Sequence, residues 1–286
     1  MNPLKHIAVA SLSVTLMMGC TADIRPDTLL EEQANASAQE SKGRRLLEQA
    51  AQAHGAQAWR QVDTYSMVLT DSWQGVARML NPWPDSEVKV RLSYHAGSFD
   101  GRATFLSGEH KGTTWGLQAW KAYTQRANKP AVFEPDDDIS FILPAIQYLT
   151  EFVFRDHSKQ VVRYAGPQEV GGVRYERVFV TWNTLEPSTD VDQYVVYIHP
   201  KSHRVEKIFY TVRDTMRAAT GAIHFEDVRD VNGVKMSFKQ SITMGIEDDP
   251  EDYAHRIVLK SVALNQPALD VFRANPKLPL GRDSKP

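Results

Sequence analysis

The sequence predicts a mainly β protein with some α: a curved antiparallel sheet of about eleven strands, with an N-terminal helix and a helical insertion. Three observations carry that reading. Most of the chain after residue 64 is built of β-rich runs, several with apolar and polar residues alternating. Turn chemistry sits between those runs, with Gly171-Gly172 and Asn232-Gly233 supplying residues that tolerate positive φ in tight hairpins, and His199-Pro200-Lys201-Ser202-His203 marking a third joint. Helical spacing appears in two places, around residues 44–60 and within the insertion at about 127–158.

The chain opens with a short segment bearing Lys5, followed by an apolar run from Ile7 to Met18 that ends at Gly19-Cys20. That run is shorter than the roughly 18–20 apolar residues needed to span a bilayer and has the shape of an export signal. Leu16-Met17-Met18-Gly19-Cys20 resembles the lipobox of bacterial lipoproteins, in which the cysteine becomes the lipidated first residue. Cys20 is the one cysteine in 286 residues, so it cannot form an internal disulfide, and it stands outside any foldable segment. The expectation is a signal peptide at 1–19 and lipid attachment at Cys20. Thr21, where an aspartate would favour inner-membrane retention in that class, points to an outer-membrane, periplasm-facing location.

Residues 20–40 are rich in Ala, Gln, Glu and Asp with no periodic apolar face, and are expected to be a flexible tether. One domain follows at 41–270, and 271–286 are expected to be an irregular tail. Charge is nearly balanced, 33 Lys plus Arg against 35 Asp plus Glu, without a basic stripe, which argues against a nucleic-acid partner.

In the segment RRLLEQAAQAHGAQAWRQV, Leu46, Leu47, Ala50, Ala51 and His54 fall at helical spacing, and Gly55 ends the helix before a short turn around Trp59. His54 is read as a helix-end residue packed on the core. Strands are expected at 64–74, 87–95, 101–107, 112–118, 160–165, 173–182, 191–199, 204–213, 221–230, 234–244 and 253–264. NPWPDSE, residues 81–87, is a Pro-rich loop carrying Trp83. In the insertion, Asp137 or Asp138 caps a first helical turn and Pro144 suits the start of a second helix. Ile146, Leu149 and Phe152 or Val153 repeat at helical spacing there, while Ile139, Phe141, Ile142 and Leu143 enlarge the apolar surface. The pair is either a core helix or a lid over the mouth of the curved sheet.

The order of these elements, the LLxxAxxxHG helix followed by Trp59, and the hairpin YVVYIHPKSHRVEKIFYTVRD resemble the half-barrel superfamily of the Lol lipoprotein carrier and its outer-membrane receptor (LolA/LolB-like). The resemblance covers most of residues 41–265 and implies an unclosed barrel wrapped around helices. Its concave face would take acyl chains of a lipid or lipoprotein.

Strand faces test that idea. In KMSFKQSITM, Met236, Phe238, Ile242 and Met244 share one face, and Lys235, Ser237, Lys239, Ser241 and Thr243 share the wet one. In VRYERVFVTW both faces are partly apolar, as when helices fill the hollow and another segment packs outside. The candidate ligand or lid residues are therefore Phe141, Ile142, Ile146, Leu149, Phe152, Met236, Phe238, Ile242 and Met244.

No zinc-helix, nucleophile-elbow, phosphate-loop or dinucleotide motif occurs, so neither catalysis nor a cofactor is expected. His95, Asp100, Glu109, His110, His199 and His203 offer metal-ligand chemistry only if folding gathers them, and the acidic runs at 136–138 and 247–252 lack the alternation of a calcium loop. Two functions remain: a binder of lipid, acyl chain or lipoprotein, and a non-enzymatic envelope scaffold or sensor acting through a protein partner. They differ in whether residues 139–154 leave a cavity or fill it.

Overall fold

The structure is a computed structural model that describes residues 21–31, 35–213, 217–246 and 249–281. The expected signal peptide and Cys20 lie outside the described residues.

Among the described residues, thirteen strands form one antiparallel sheet. The first half of the chain gives β1 Thr64–Trp73, β2 Glu87–His95, β3 Gly101–Phe105, β4 Thr114–Gln118, β5 Lys121–Gln125 and β6 Val132–Phe133. The second half gives β7 Val161–Val170, β8 Val173–Thr181, β9 Tyr194–Ile198, β10 Val205–Thr211, β11 Thr220–Val231, β12 Val234–Met244 and β13 His255–Leu264. Helices are α1 Asp27–Glu31, α2 Ala36–Ala53, α3 Ala56–Trp59 and α4 Asp137–Glu151.

The sheet order runs from β6 back to β1, then from β13 back to β7. Every chain neighbour is therefore a sheet neighbour except at one step: β6 and β7 are the two free edges, and α4 connects them. The sheet is not closed, and α4 fills the hollow. It packs on β3, β4 and β5, while α2 packs on β7 and β8.

Concave side chains such as Met67, Leu69, Leu92, Val178, Val196 and Ile208 form the main core with α2 and α4. A second, smaller core lies on the convex face, where Phe179, Val195, Tyr197 and Phe209 meet Ile24 and Leu29. The two-faced apolar pattern of β8 has this origin: helices cover it inside and the N-terminal segment covers it outside.

That segment departs from the expected tether. Ile24 and Leu29 are buried, the Ile24 N–H donates to Gln193 Oε1 (2.9 Å), and the Thr28 hydroxyl donates to the Ala165 carbonyl (2.8 Å). Two apolar side chains suffice because β8, β9 and β10 already present an apolar strip for them. The insertion also differs: it is one helix from Asp137 to Glu151 with Pro144 inside it, capped by Asp136, whose Oδ1 accepts the Ile139 N–H (2.9 Å). Pro144 removes one backbone donor, yet the helix continues because its apolar stripe is buried on both sides of the break. The stretch at 271–281 holds to the body, with Gln118 Nε2 donating to the carbonyls of Asn275 (3.0 Å) and Leu278 (3.2 Å).

Candidate functional site

The hollow of the sheet, with α4 lying in it, is the candidate site. Ile139, Leu143, Gln147 and Glu151 follow each other at four-residue spacing, and all are buried. The stripe is apolar at its start and polar at its end. Asp137 and Asp138 lie in the first turn, where negative charge suits the helix dipole. Burial and then the charges of Asp136 and Asp137 push the Asp138 carboxyl up.

At its other end α4 is held by a buried polar cluster. Glu151 Oε1 accepts from Tyr65 Oη (3.0 Å) and Gln147 Nε2 (2.8 Å), and Oε2 accepts from the Gly97 N–H (3.1 Å) and pairs with Arg155 (2.9 Å). Gln147 Nε2 also donates to the His95 carbonyl (3.0 Å), and Tyr94 Oη donates to the Leu143 carbonyl (3.1 Å). Glu151 and Arg155 are 1% and 4% exposed. Burial raises the Glu151 carboxyl, and the Arg155 charge with three hydrogen bonds opposes it without cancelling it. The Arg155 guanidinium lies over the Phe99 ring, 4.3 Å from its centroid, and donates to the Ser98 carbonyl (3.2 Å).

His54 ties α2 to the sheet. Its Nε2 accepts the Val205 N–H (3.1 Å), so the proton resides on Nδ1, which donates to the Lys235 carbonyl (3.3 Å). Burial lowers its pKa and the nearby Arg204 charge adds to that. The sequence reading of His54 as a packed helix-end residue agrees with this position.

Between α4 and strands β10 to β12 remains an apolar cavity of about 40 Å³, lined by Leu149, Phe152, Val205, Ile208, Phe225 and Met236 among others. A water takes roughly 10–15 Å³ of such space, so this cavity matches about three waters and takes no acyl chain without movement of α4. Between α4 and these strands the hollow is therefore filled in this state.

The sequence-selected residues divide. Ile142, Ile146, Phe152, Met236, Phe238 and Ile242 are buried in the main core, and Leu149 and Phe141 pack partly buried against it. Met244 shares the face of Met236 but lies past the end of the hollow, 49% exposed. The reverse face of β12 is less wet than its composition suggests, since Ser241 and Thr243 are buried, Ser241 Oγ donating to Glu226 (2.8 Å). The Glu151 cluster was missed by sequence reasoning, although Gln147, Glu151 and Arg155 at four-residue spacing inside an apolar run carried the signal.

Among the described residues no group of three or more His, Cys, Asp or Glu stands close enough to hold a metal. His199 is engaged in its own turn, Nδ1 accepting from the N–H groups of Lys201 and Ser202 (both 3.2 Å). No helix of the described residues is long and apolar enough to cross a membrane.

Three solved structures share this arrangement. A domain assigned as an outer membrane lipoprotein-sorting protein from Vibrio parahaemolyticus is 12% identical, covering 83% of this chain and 98% of its own, with a TM-score of 0.52. A DUF1329 family protein from Desulfovibrio piger is 9% identical, covering 84% and 99%, with a TM-score of 0.53. A LolA superfamily protein from Nitrosomonas europaea is 8% identical, covering 80% and 96%, with a TM-score of 0.51. At such identities the likeness is one of fold alone: an unclosed antiparallel half-barrel wrapped around helices, as in these three proteins. No family model and no curated protein matches the chain.

Proposed function

We propose that this protein is a lipid-anchored envelope protein that takes an acyl chain of a lipid or lipoprotein into the hollow of its half-barrel, with α4 giving way on loading. The observation that carries the reading is the single apolar helix that crosses the hollow from one free edge strand to the other, with a 40 Å³ apolar cavity beside it. The energies are comparable. Exposing the four buried aliphatic side chains of α4 costs roughly 6–12 kcal/mol, which burial of about 8–15 methylenes offsets at about 0.8 kcal/mol each.

The likeness to the sorting domain and the LolA superfamily protein supports the class of function, and the lipobox-like Gly19-Cys20 followed by Thr21 supports an outer-membrane site of action. No catalytic step is part of the proposal. The filled hollow favours one competing reading, an envelope scaffold or sensor whose plug is permanent and which acts through a protein partner.

Native mass spectrometry with lipid extraction, on protein purified from its envelope fraction, separates them. A stoichiometric lipid, lost when Ile146 and Leu149 are replaced by Asp, supports the binder. Protein that is empty, and that takes up neither added fatty acid nor phospholipid, contradicts it.

A further inference from the structure

The two rims of the sheet differ. The register places Trp73, Glu87, Thr211, Thr220, Met244 and His255 at the same rim, so the β1–β2, β10–β11 and β12–β13 connections all emerge there. The N-terminal segment enters at that rim too. The Ala22 N–H donates to the Arg217 carbonyl (2.9 Å), and the Arg213 guanidinium donates to the Ala22 carbonyl, both partners lying in the β10–β11 connection. Cys20 is two residues from this clamp, and an extended residue spans at most about 3.6 Å. The anchor therefore leaves the domain at this rim, with almost no slack.

The same rim carries large apolar side chains in water. Val76 and Met79 are 74% and 83% exposed in the β1–β2 connection, with Leu80 beside them, and Ile246 is 50% exposed just after Met244. The β1–β2 connection is firmly held. Arg78 Nε donates to the Trp73 carbonyl (3.2 Å), Gln74 Nε2 to the Tyr253 carbonyl (2.7 Å), and Trp83 Nε1 to the buried Asp71 carboxylate (2.8 Å). Ile246 also borders the convex cleft formed with Ile24, Arg25 and Pro26, which places it beside the clamped segment. Exposed apolar side chains gathered on adjoining connections mark an interaction surface.

We infer that this rim is a membrane-contacting surface: Val76, Met79, Leu80, Met244 and Ile246 rest in the lipid headgroup and upper acyl region. The opposite rim, with the His199–His203 turn, points away from the bilayer. The inference rests on the lipid-anchor reading of Cys20, because the short clamp is what commits the surface to a bilayer rather than to a protein. Apolar contacts of this kind sit roughly 5–10 Å deep and add a second attachment to the anchor.

The test uses the full lipidated chain in vesicles of phosphatidylethanolamine and phosphatidylglycerol with brominated acyl chains. Met79→Cys, Ile246→Cys or Lys201→Cys is labelled with an environment-sensitive fluorophore, since the one native cysteine is occupied by the anchor. Labels at 79 and 246 are expected to be quenched about twofold or more, as interfacial depth requires, and the label at 201 not at all. Equal quenching at all three positions on vesicle-bound protein overturns the orientation and leaves the anchor intact. A mature N-terminus without acyl chains by mass spectrometry overturns the anchor, and the proposed surface with it.

Discussion

Replacing Arg155 with Met removes the cation paired with Glu151 while keeping much of the side chain's bulk. Glu151 is then a carboxylate 1% exposed, holding hydrogen bonds from Tyr65, Gln147 and Gly97 but no counter-charge. Breaking a buried pair in this way costs about 3–5 kcal/mol. The cost depends on pH, because burial already raises the Glu151 carboxyl and loss of Arg155 raises it further. Where folded Glu151 is protonated and unfolded Glu151 is not, stability falls as pH rises, so the variant's deficit is largest at neutral pH and shrinks toward acid. Urea unfolding followed by tryptophan fluorescence at pH 7 and pH 5 measures both values, and Glu151→Gln in the Arg155→Met background recovers about 1–3 kcal/mol at pH 7. Since the cluster pins the C-terminal end of α4, the single variant also exposes the hollow and binds more of an apolar dye. An Arg155→Met protein within about 1 kcal/mol of wild type at both pH values refutes this role of the Glu151–Arg155 pair.

Other consequences are as concrete. His54 is held neutral in the fold, so its contribution is present above the unfolded histidine value of about 6.5 and is lost as pH falls below it. His54→Phe strands the Val205 N–H, costing about 1–3 kcal/mol at pH 7, and flattens the decline in stability toward pH 5 measured by urea titration. Gly55 has φ +93°, and a Cβ there would sit 2.0 Å from the Gly233 carbonyl oxygen. Gly55→Ala is therefore expected to cost about 2–5 kcal/mol in chemical denaturation, and a neutral result would mean that the α2–α3 turn adapts easily.

Much of the fold was legible because its strands alternate and their hairpins carry recognisable turns. Asn232 and Gly233 do adopt positive φ, as do Gly171 and Gly172. The two strands not expected, β5 and β6, show why other joints are silent. The β4–β5 hairpin turns on Ala119 and Trp120 at φ 50° and 62°, residue types that give no turn signal, and β6 has two residues. Likewise β7 continues past 165 because Gly166 at φ 74° begins an irregularity before Pro167, a pair that reads as a stop.

The candidate site was half legible. Periodicity identified the apolar residues of α4 and β12, since those obey strand and helix spacing. It could not place Met244 beyond the hollow or join Tyr65, Gly97 and Glu151 at one point, because such contacts depend on sheet curvature and on which rim each strand ends at. The segment at 21–31 read as a tether since its own composition offers few apolar residues, whereas its docking depends on the strip waiting on β8 to β10.

In a loaded protein an acyl chain would occupy the space now held by α4. A photo-crosslinkable fatty acid, incubated with the protein and mapped by peptide mass spectrometry, tests it most directly. Attachment is expected on the concave strands lining the cavity, at Ile208, Phe225 and Met236, with α4 gaining solvent exchange at the same time. Attachment confined to the convex face or the exposed rim, with α4 as protected as before, would contradict it.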